Sequence, residues 1–274
     1  MSSEMKTRID QAADFLRGKW AKSPRAGVIL GTGLGSLSAS MTIEARVPYD
    51  DIPHFAVSTV ESHAGEMLFG QVAGRDCVVM SGRVHLYEGY TMEQVTFPVR
   101  VMRALGAPLL IVSNAVGGMN PLFGLGDICI TVDHINLMGA NPLIGPNDDA
   151  LGPRFPDMSE PYTLRHVASV ERIALDERIQ VRKGVFVAVA GPNLETRAEY
   201  RFLRTIGADV VGMSLVPEVL VAVHGGMEVL ALSVVTDLCL PDALEPVDIQ
   251  RILQVAADAE PKLTRLVSRF LEDL

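Results

Sequence analysis

Ser81-Gly82-Arg83-Val84-His85-Leu86-Tyr87-Glu88-Gly89-Tyr90 is the stretch on which the fold of this chain turns. It follows Cys77-Val78-Val79-Met80, a short apolar run that reads as a buried strand. Side chains alternate along a strand, so an extended backbone past Met80 puts Arg83, His85 and Tyr87 on one face. Val84 and Leu86 then pack on the other. The polar face carries a fixed cation, a titratable imidazole and a phenol. A guanidinium fork suits phosphate or carboxylate. A solvated strand end shows the same alternation, so the flanking sequence has to decide.

Upstream, Ile9, Ala12, Ala13, Leu16 and Trp20 recur at helical spacing from about Lys6 to Trp20. Arg25 to Leu30 predicts a strand that runs into Gly31-Thr32-Gly33-Leu34-Gly35-Ser36. Such glycines let backbone approach a ligand, and Thr32 adds a hydroxyl. The spacing is G-x-G-x-G, not the dinucleotide G-x-G-x-x-G, and a tight turn without ligand also fits it. Thr42 to Val47 predicts a strand, and Ser58 to Gly65 a loop carrying His63. Glu66 to Val72 and Asp76 to Met80 predict a hairpin across Ala73-Gly74-Arg75.

Downstream, Thr91-x-x-Gln94 is a capping box. It predicts a helix to about Leu105, kinked at Pro98 and ended by Gly106. Leu109 to Ser113 reads as a buried strand and Asn114-Ala115-Val116-Gly117-Gly118 as a glycine-rich loop after it. Ile128 to Val132 predicts another strand. Gly139 to Tyr162 is rich in Pro, Asn, Asp and Gly, and a long irregular loop in a compact domain is often functional. Phe155 within it needs something to pack on, such as a neighbouring subunit.

A helix over Thr163 to Arg178 leads to a strand at Val185 to Ala190, then to Gly191-Pro192-Asn193-Leu194-Glu195. Thr196-x-x-Glu199 caps the next helix, which ends near Gly207. Asp209 to Met213 predicts a strand followed by Ser214, with Pro217 in the first turn of the helix beyond. Val229 to Val235 is the last strand, followed by Thr236-Asp237. An amphipathic helix carrying Ile249, Ile252, Leu253, Ala256, Leu263, Leu266, Val267 and Phe270 comes last. No repeat, low-complexity tract or linker interrupts residues 1–274, which predicts one α/β domain.

Hydrophobic residues make up 48% of the 274, enough for a sizeable core. The net charge of −9 argues against a nucleic-acid partner. No apolar run spans a bilayer, and Met1-Ser2-Ser3-Glu4-Met5-Lys6 lacks the apolar core of a signal peptide. The three cysteines, Cys77, Cys129 and Cys239, form no C-x-x-C pair, so neither a disulfide framework nor a zinc site is expected. A cytoplasmic location follows as the expectation, with no metal.

The strand ends share a pattern. Six of them finish in Thr32, Arg83 with His85, Asn114-Ala115, Glu195, Ser214 and Asp237. Open α/β sheets bind ligands beyond the carboxyl ends of their strands. Brought together, the hydroxyls, the Arg, the His and backbone N–H groups suit an oxyanion such as phosphate. The two carboxylates suit a hydrogen-bonding heterocycle.

With these residues in view, the chain resembles the trimeric purine nucleoside phosphorylases from Gly27 to the C-terminal helix. The strongest motifs are Gly82-Arg83-Val84-His85-Leu86-Tyr87-Glu88-Gly89, Asn114-Ala115-Val116-Gly117-Gly118, Gly145-Pro146-Asn147-Asp148 with Arg154-Phe155-Pro156, and Gly212-Met213-Ser214-Leu215-Val216-Pro217-Glu218. The resemblance implies a mixed, partly barrel-like sheet flanked by helices, and a homotrimer with sites near subunit interfaces. It implies phosphorolysis of purine nucleosides, with inorganic phosphate as co-substrate and no other cofactor. By the same resemblance Thr32, Arg83, His85, Ser214 and the backbone at Ala115 hold phosphate, with His63 closing over it. Tyr87 and Met213 face the ribose, and Phe155 reaches into the neighbour's site. Glu195 accepts from the N1–H edge of the base, beside Leu194, which stands where an aromatic is usual. His85, Glu195 and Asp237 are the expected catalytic set.

Two departures bear on specificity. Asp237 stands where members selective for 6-oxopurines generally have asparagine. An ionised carboxylate only accepts, which favours a 6-amino group; a protonated one donates to N7. Val247-Asp248-Ile249 lacks the histidine often found there for the 5′-hydroxyl, which predicts tolerance of 5′-deoxy or 5′-thio groups. Three rivals are a methylthioadenosine phosphorylase, a nicotinamide-dependent oxidoreductase and a non-catalytic nucleoside-binding protein. The His85 to Tyr90 run favours the nucleoside phosphorylases over the first, and the glycine spacing disfavours the second.

Overall fold

The computed structural model describes residues 4–31, 35–57 and 65–274. Thr32 and His63 lie outside the described residues. In chain order the elements are α1 (Glu4–Lys19), β1 (Ala26–Leu30), α2 (Ser36–Ala39), β2 (Thr42–Pro48), β3 (Glu66–Val72), β4 (Arg75–Ser81), α3 (Met92–Ala104), β5 (Leu109–Gly118), β6 (Ile128–Leu137), α4 (Leu164–Asp176), β7 (Val181–Val189), α5 (Arg197–Thr205), β8 (Val210–Gly212), α6 (Val216–His224), β9 (Glu228–Leu238) and α7 (Ile249–Glu272).

Alternation along the apolar runs feeds two cores. Ile29, Val78, Met80, Leu110 and Val112 pack with Leu16 of α1 and Phe97 of α3. Val28, Leu30, Cys77, Val79 and Ile111 pack with Leu263, Leu266 and Phe270 of α7. Both faces are covered, so these strands read in sequence as continuous apolar runs.

Among the described residues the strands form one nine-stranded mixed sheet in the order β2-β3-β4-β1-β5-β8-β7-β6-β9, and β5 also pairs with β9. That extra pairing closes β5, β8, β7, β6 and β9 into a ring, the expected partly barrel-like α/β arrangement. β1 runs parallel to β4 and β5, and β5 parallel to β9. The carboxyl ends of these strands therefore share one edge. Both capping boxes form: Thr91 Oγ1 accepts from the Gln94 N–H, and Thr196 Oγ1 from the Glu199 N–H. α3 runs on through Pro98.

Three local readings of the sequence are corrected. β4 stops at Ser81, because Gly82 turns the chain with φ +92° and a 3-10 turn follows at Leu86–Glu88. Strand alternation thus does not carry Arg83, His85 and Tyr87. Asn114 to Gly118 is strand, not loop, and pairs with β9 throughout. Thr236 and Asp237 lie within β9, not after it.

Candidate active site

Arg83, His85, Ala115 and Ser214 line one cavity of about 220 Å³ at this edge of the sheet. Arg83 is buried, with Nη1 donating to Glu218 Oε1 at 2.9 Å and Nη2 to the Ser113 carbonyl at 2.7 Å. Glu218 sits in the first turn of α6 and is buried as deeply. Removing one partner of such a buried pair costs about 3–5 kcal/mol, because the other charge is left uncompensated. The pair fixes the guanidinium in the cavity wall.

Glu88 does the same for His85. Its Oε1 accepts from the His85 backbone N–H at 2.8 Å and lies 2.9 Å from Nδ1. A carboxylate there holds the proton on Nδ1 and turns Nε2 outward. The ring stacks on Tyr87, with centroids 4.7 Å apart and planes 13° apart. Burial pushes the Tyr87 phenol up, and Glu88 adds to the shift, so it remains a neutral donor.

Ser214 is aimed by its neighbour. Leu215 takes φ +72° and ψ −60°, and the Val216 N–H closes back on the Ser214 carbonyl at 2.9 Å. A non-glycine residue in such a turn costs about 1–3 kcal/mol, and Leu215 is held there by complete burial. The strained turn sets Ser214 in the cavity wall at the N-terminus of α6, where the helix dipole favours an anion. Asn114 adds a donor. Its Oδ1 accepts from the Ser233 hydroxyl at 2.7 Å, while its buried Nδ2 has no partner among the described residues.

The same cavity holds Glu195, Asp237, Leu194 and Met213. A bulge opposite Val116 and Gly117 leaves Thr236 as an extra residue on β9, and bulges re-aim side chains. Asp237 Oδ2 accepts from the Cys239 thiol at 3.1 Å. The Thr236 hydroxyl is shared, 3.3 Å from both Asp237 Oδ1 and the Val116 carbonyl. Burial raises the Glu195 carboxyl above its ordinary value; its own backbone N–H and the Tyr200 hydroxyl oppose the shift, and Asp237 and Glu199 add to it. A second cavity of about 550 Å³ shares Leu194, Glu195 and Asp237 and is walled by Leu244, Pro246, Val247 and Ile252.

Nine of the residues expected from sequence therefore meet: Arg83, His85, Tyr87, Ala115, Leu194, Glu195, Met213, Ser214 and Asp237. Phe155 does not join them. It is 86% exposed on its loop, with the Arg154 guanidinium 5.7 Å over its ring. Glu88, Glu218 and Asn114 lie within the quoted motifs, but their side chains, like those of Tyr200 and Cys239, were given no role from sequence. Glu88 carried a signal, standing three residues after His85; Glu218 joins Arg83 across 135 residues, which no local pattern reveals. Among the described residues no group of three His, Cys, Asp or Glu is placed to hold a metal, and no helix is long and apolar enough to cross a membrane.

The sequence and the fold match known proteins. A family model described as the phosphorylase superfamily matches residues 25–272. Purine nucleoside phosphorylase 1 of Geobacillus stearothermophilus is 49% identical over 269 residues, covering 98% of both chains. The purine nucleoside phosphorylase of Rattus norvegicus is 44% identical, covering 96% of this chain and 94% of its own. The Schistosoma mansoni purine nucleoside phosphorylase in complex with inosine superposes with a TM-score of 0.93 at 37% identity, covering 98% of this chain and 96% of its own. A complex of that enzyme with adenosine matches at the same TM-score and identity, covering 98% and 97%. The chain belongs to the phosphorylase superfamily and, within it, to the purine nucleoside phosphorylases.

Proposed function

We propose that the chain cleaves the N-glycosidic bond of purine ribo- and deoxyribonucleosides with inorganic phosphate, giving free base and pentose 1-phosphate. The observation that carries this reading is the meeting of an anion-binding set, Arg83, His85, Ala115 and Ser214, with the carboxylates Glu195 and Asp237 in one cavity. Phosphate is held by the Arg83 guanidinium, His85 Nε2, the Ala115 N–H and the Ser214 hydroxyl, with Thr32 and His63 completing the set. Tyr87 and Met213 face the ribose, and Leu194 and Glu195 the base.

The glycosidic bond stretches first and C1′ gains oxocarbenium character. The fixed phosphate below the sugar stabilises that charge and attacks with inversion. Positioning and electrostatics supply most of the acceleration. The leaving base takes up charge at N7 and the 6-position, where Asp237 stands. An ionised Asp237 accepts from a 6-amino group and repels O6, which widens acceptance toward adenosine.

The 274 residues act as one domain, in a cytoplasmic homotrimer where Phe155 enters the neighbour's site. The apolar side chains Leu244, Val247 and Ile252 in the wall of the second cavity favour one further reading, in which 5′-methylthio nucleosides are also cleaved. A panel of inosine, guanosine, adenosine and 5′-methylthioadenosine, with and without phosphate, tests both. Base release that needs phosphate and yields pentose 1-phosphate is expected; release without phosphate, or none, refutes the reading. A 5′-methylthioadenosine rate far below that of adenosine removes the second.

A further inference from the structure

Asp237 is not a free carboxylate in a polar pocket. The Cys239 thiol donates to its Oδ2 at 3.1 Å, and the Thr236 hydroxyl sits 3.3 Å from its Oδ1. Cys239 is itself buried, in space that only a glycine opposite can provide. A Cβ on Gly117 would lie 2.4 Å from Cys239 Sγ and 3.5 Å from Asp237 Oδ2. Gly117 pairs with Asp237 across β5 and β9, directly after the bulge. Behind the thiol lies the buried Tyr200 hydroxyl, which engages both Cys239 and the Glu195 carboxyl. The thiol thus donates to Asp237, while the Tyr200 hydroxyl, when it donates to Glu195, favours the ionised form of that acid.

The geometry of the bases gives this span a meaning. A 6-oxopurine presents a donor at N1 and an acceptor at O6. A 6-aminopurine presents an acceptor at N1 and a donor on the amino group. Two acids carrying one proton between them match either edge, according to which acid holds it. With the proton on Glu195, the pair reads N1 and the 6-amino group. With the proton on Asp237, it reads N1–H and O6. The Cys239 thiol donates to Asp237 Oδ2, and a carboxylate that accepts this bond presents an acceptor to the base.

We infer that Cys239 is a positioning residue that holds Asp237 as an acceptor toward the base and so tilts the Glu195–Asp237 pair toward 6-aminopurines. The inference rests on the base lying against Glu195 and Asp237, as in the function proposed above. Burial keeps the thiol protonated, since it pushes Cys239 well above the ordinary thiol value, with Asp237 adding to the shift. The thiol therefore donates and does not compete as an anion.

The test is calorimetric binding of adenine and of hypoxanthine to the intact protein, alongside kcat/KM for adenosine and inosine. Variants are Cys239→Val, which removes the donor, and Cys239→Ser, which keeps one. Each is made in the wild type and in Asp237→Asn, with thermal unfolding as a check on folding. Cys239→Val is expected to lower the adenine-to-hypoxanthine affinity ratio about tenfold, the worth of one hydrogen bond to a charged group. Cys239→Ser is expected to restore most of it, and the ratio in Asp237→Asn should not respond to either change. Equal effects on both bases, no rescue by serine, or the same shift in the Asp237→Asn background overturns the inference. Absence of turnover with intact base binding counts against the phosphorylase reading alone, because the affinity ratio still reports on Cys239. Binding of neither base overturns the inference as well.

Discussion

At Arg83 and His85 the cavity owes its geometry to two acids whose roles only the tertiary contacts reveal. Glu218 holds the guanidinium and Glu88 the imidazole. Glu218→Ala leaves a buried cation without its partner, and urea unfolding is expected to show a loss of about 3–5 kcal/mol. A loss below about 1 kcal/mol would mean the pair does not anchor Arg83. Glu88→Ala frees the His85 ring, and a hydrogen bond to a charged group is worth about 1.5–3 kcal/mol. Steady-state kinetics in varied phosphate should show the phosphate KM rise about tenfold or more; an unchanged KM would remove Glu88 from the phosphate site.

Glu195 adds a pH dependence. Burial raises its pKa first, Asp237 and Glu199 add to this, and Tyr200 opposes it. The neutral acid therefore persists above the ordinary glutamate range and is lost as pH rises through the raised value. A neutral Glu195 donates to N1 of adenosine; an ionised one accepts from N1–H of inosine. The adenosine-to-inosine ratio of kcat/KM is expected to fall as pH rises through that value, and a flat ratio would contradict the assignment. Residue identities at this scale were largely legible, because Arg, His, Ser and acids stood at strand ends. Their partners were not, since Glu218 and Ser113 reach Arg83 only through the tertiary fold.

Among the elements, capping boxes and apolar runs announced α3, α5, β1 and β3 closely. Glycine misled. Asn114 to Gly118 has the composition of a loop, yet it is the end of β5. Those glycines are there because neighbouring side chains fill the space a Cβ would take, Cys239 at Gly117 and Val235 at Gly118. Close approach and turning look alike in sequence, and only packing separates them. Gly82 is the reverse case, a true turn inside what alternation reads as strand. Gly117→Ala is expected to overpack this seam, destabilising the fold by about 1–3 kcal/mol in denaturant titration and weakening base binding. Wild-type stability and base affinity in that variant would show that the seam yields easily.

For the whole molecule, closure of β5, β8, β7, β6 and β9 into a ring was expected only through family resemblance. Strand runs give no partner order, and the β5–β9 pairing joins segments over a hundred residues apart. The exposed Phe155 ring and Ile144, 80% exposed on the same loop, fit a subunit contact. Light scattering is expected to give three times the 29.6 kDa chain mass. Phe155→Ala should lower kcat/KM in a particle of that same mass, and unchanged kinetics would take Phe155 out of the neighbour's site.

The central claim is that Arg83, His85, Ala115 and Ser214 enclose one inorganic anion beside the base pocket. A crystal structure of the protein soaked in phosphate tests it most directly. The account predicts one phosphate within hydrogen-bonding distance of the Arg83 guanidinium, the Ala115 N–H and the Ser214 hydroxyl. Phosphate ordered elsewhere, with that cavity holding only water at saturating concentration, would contradict it.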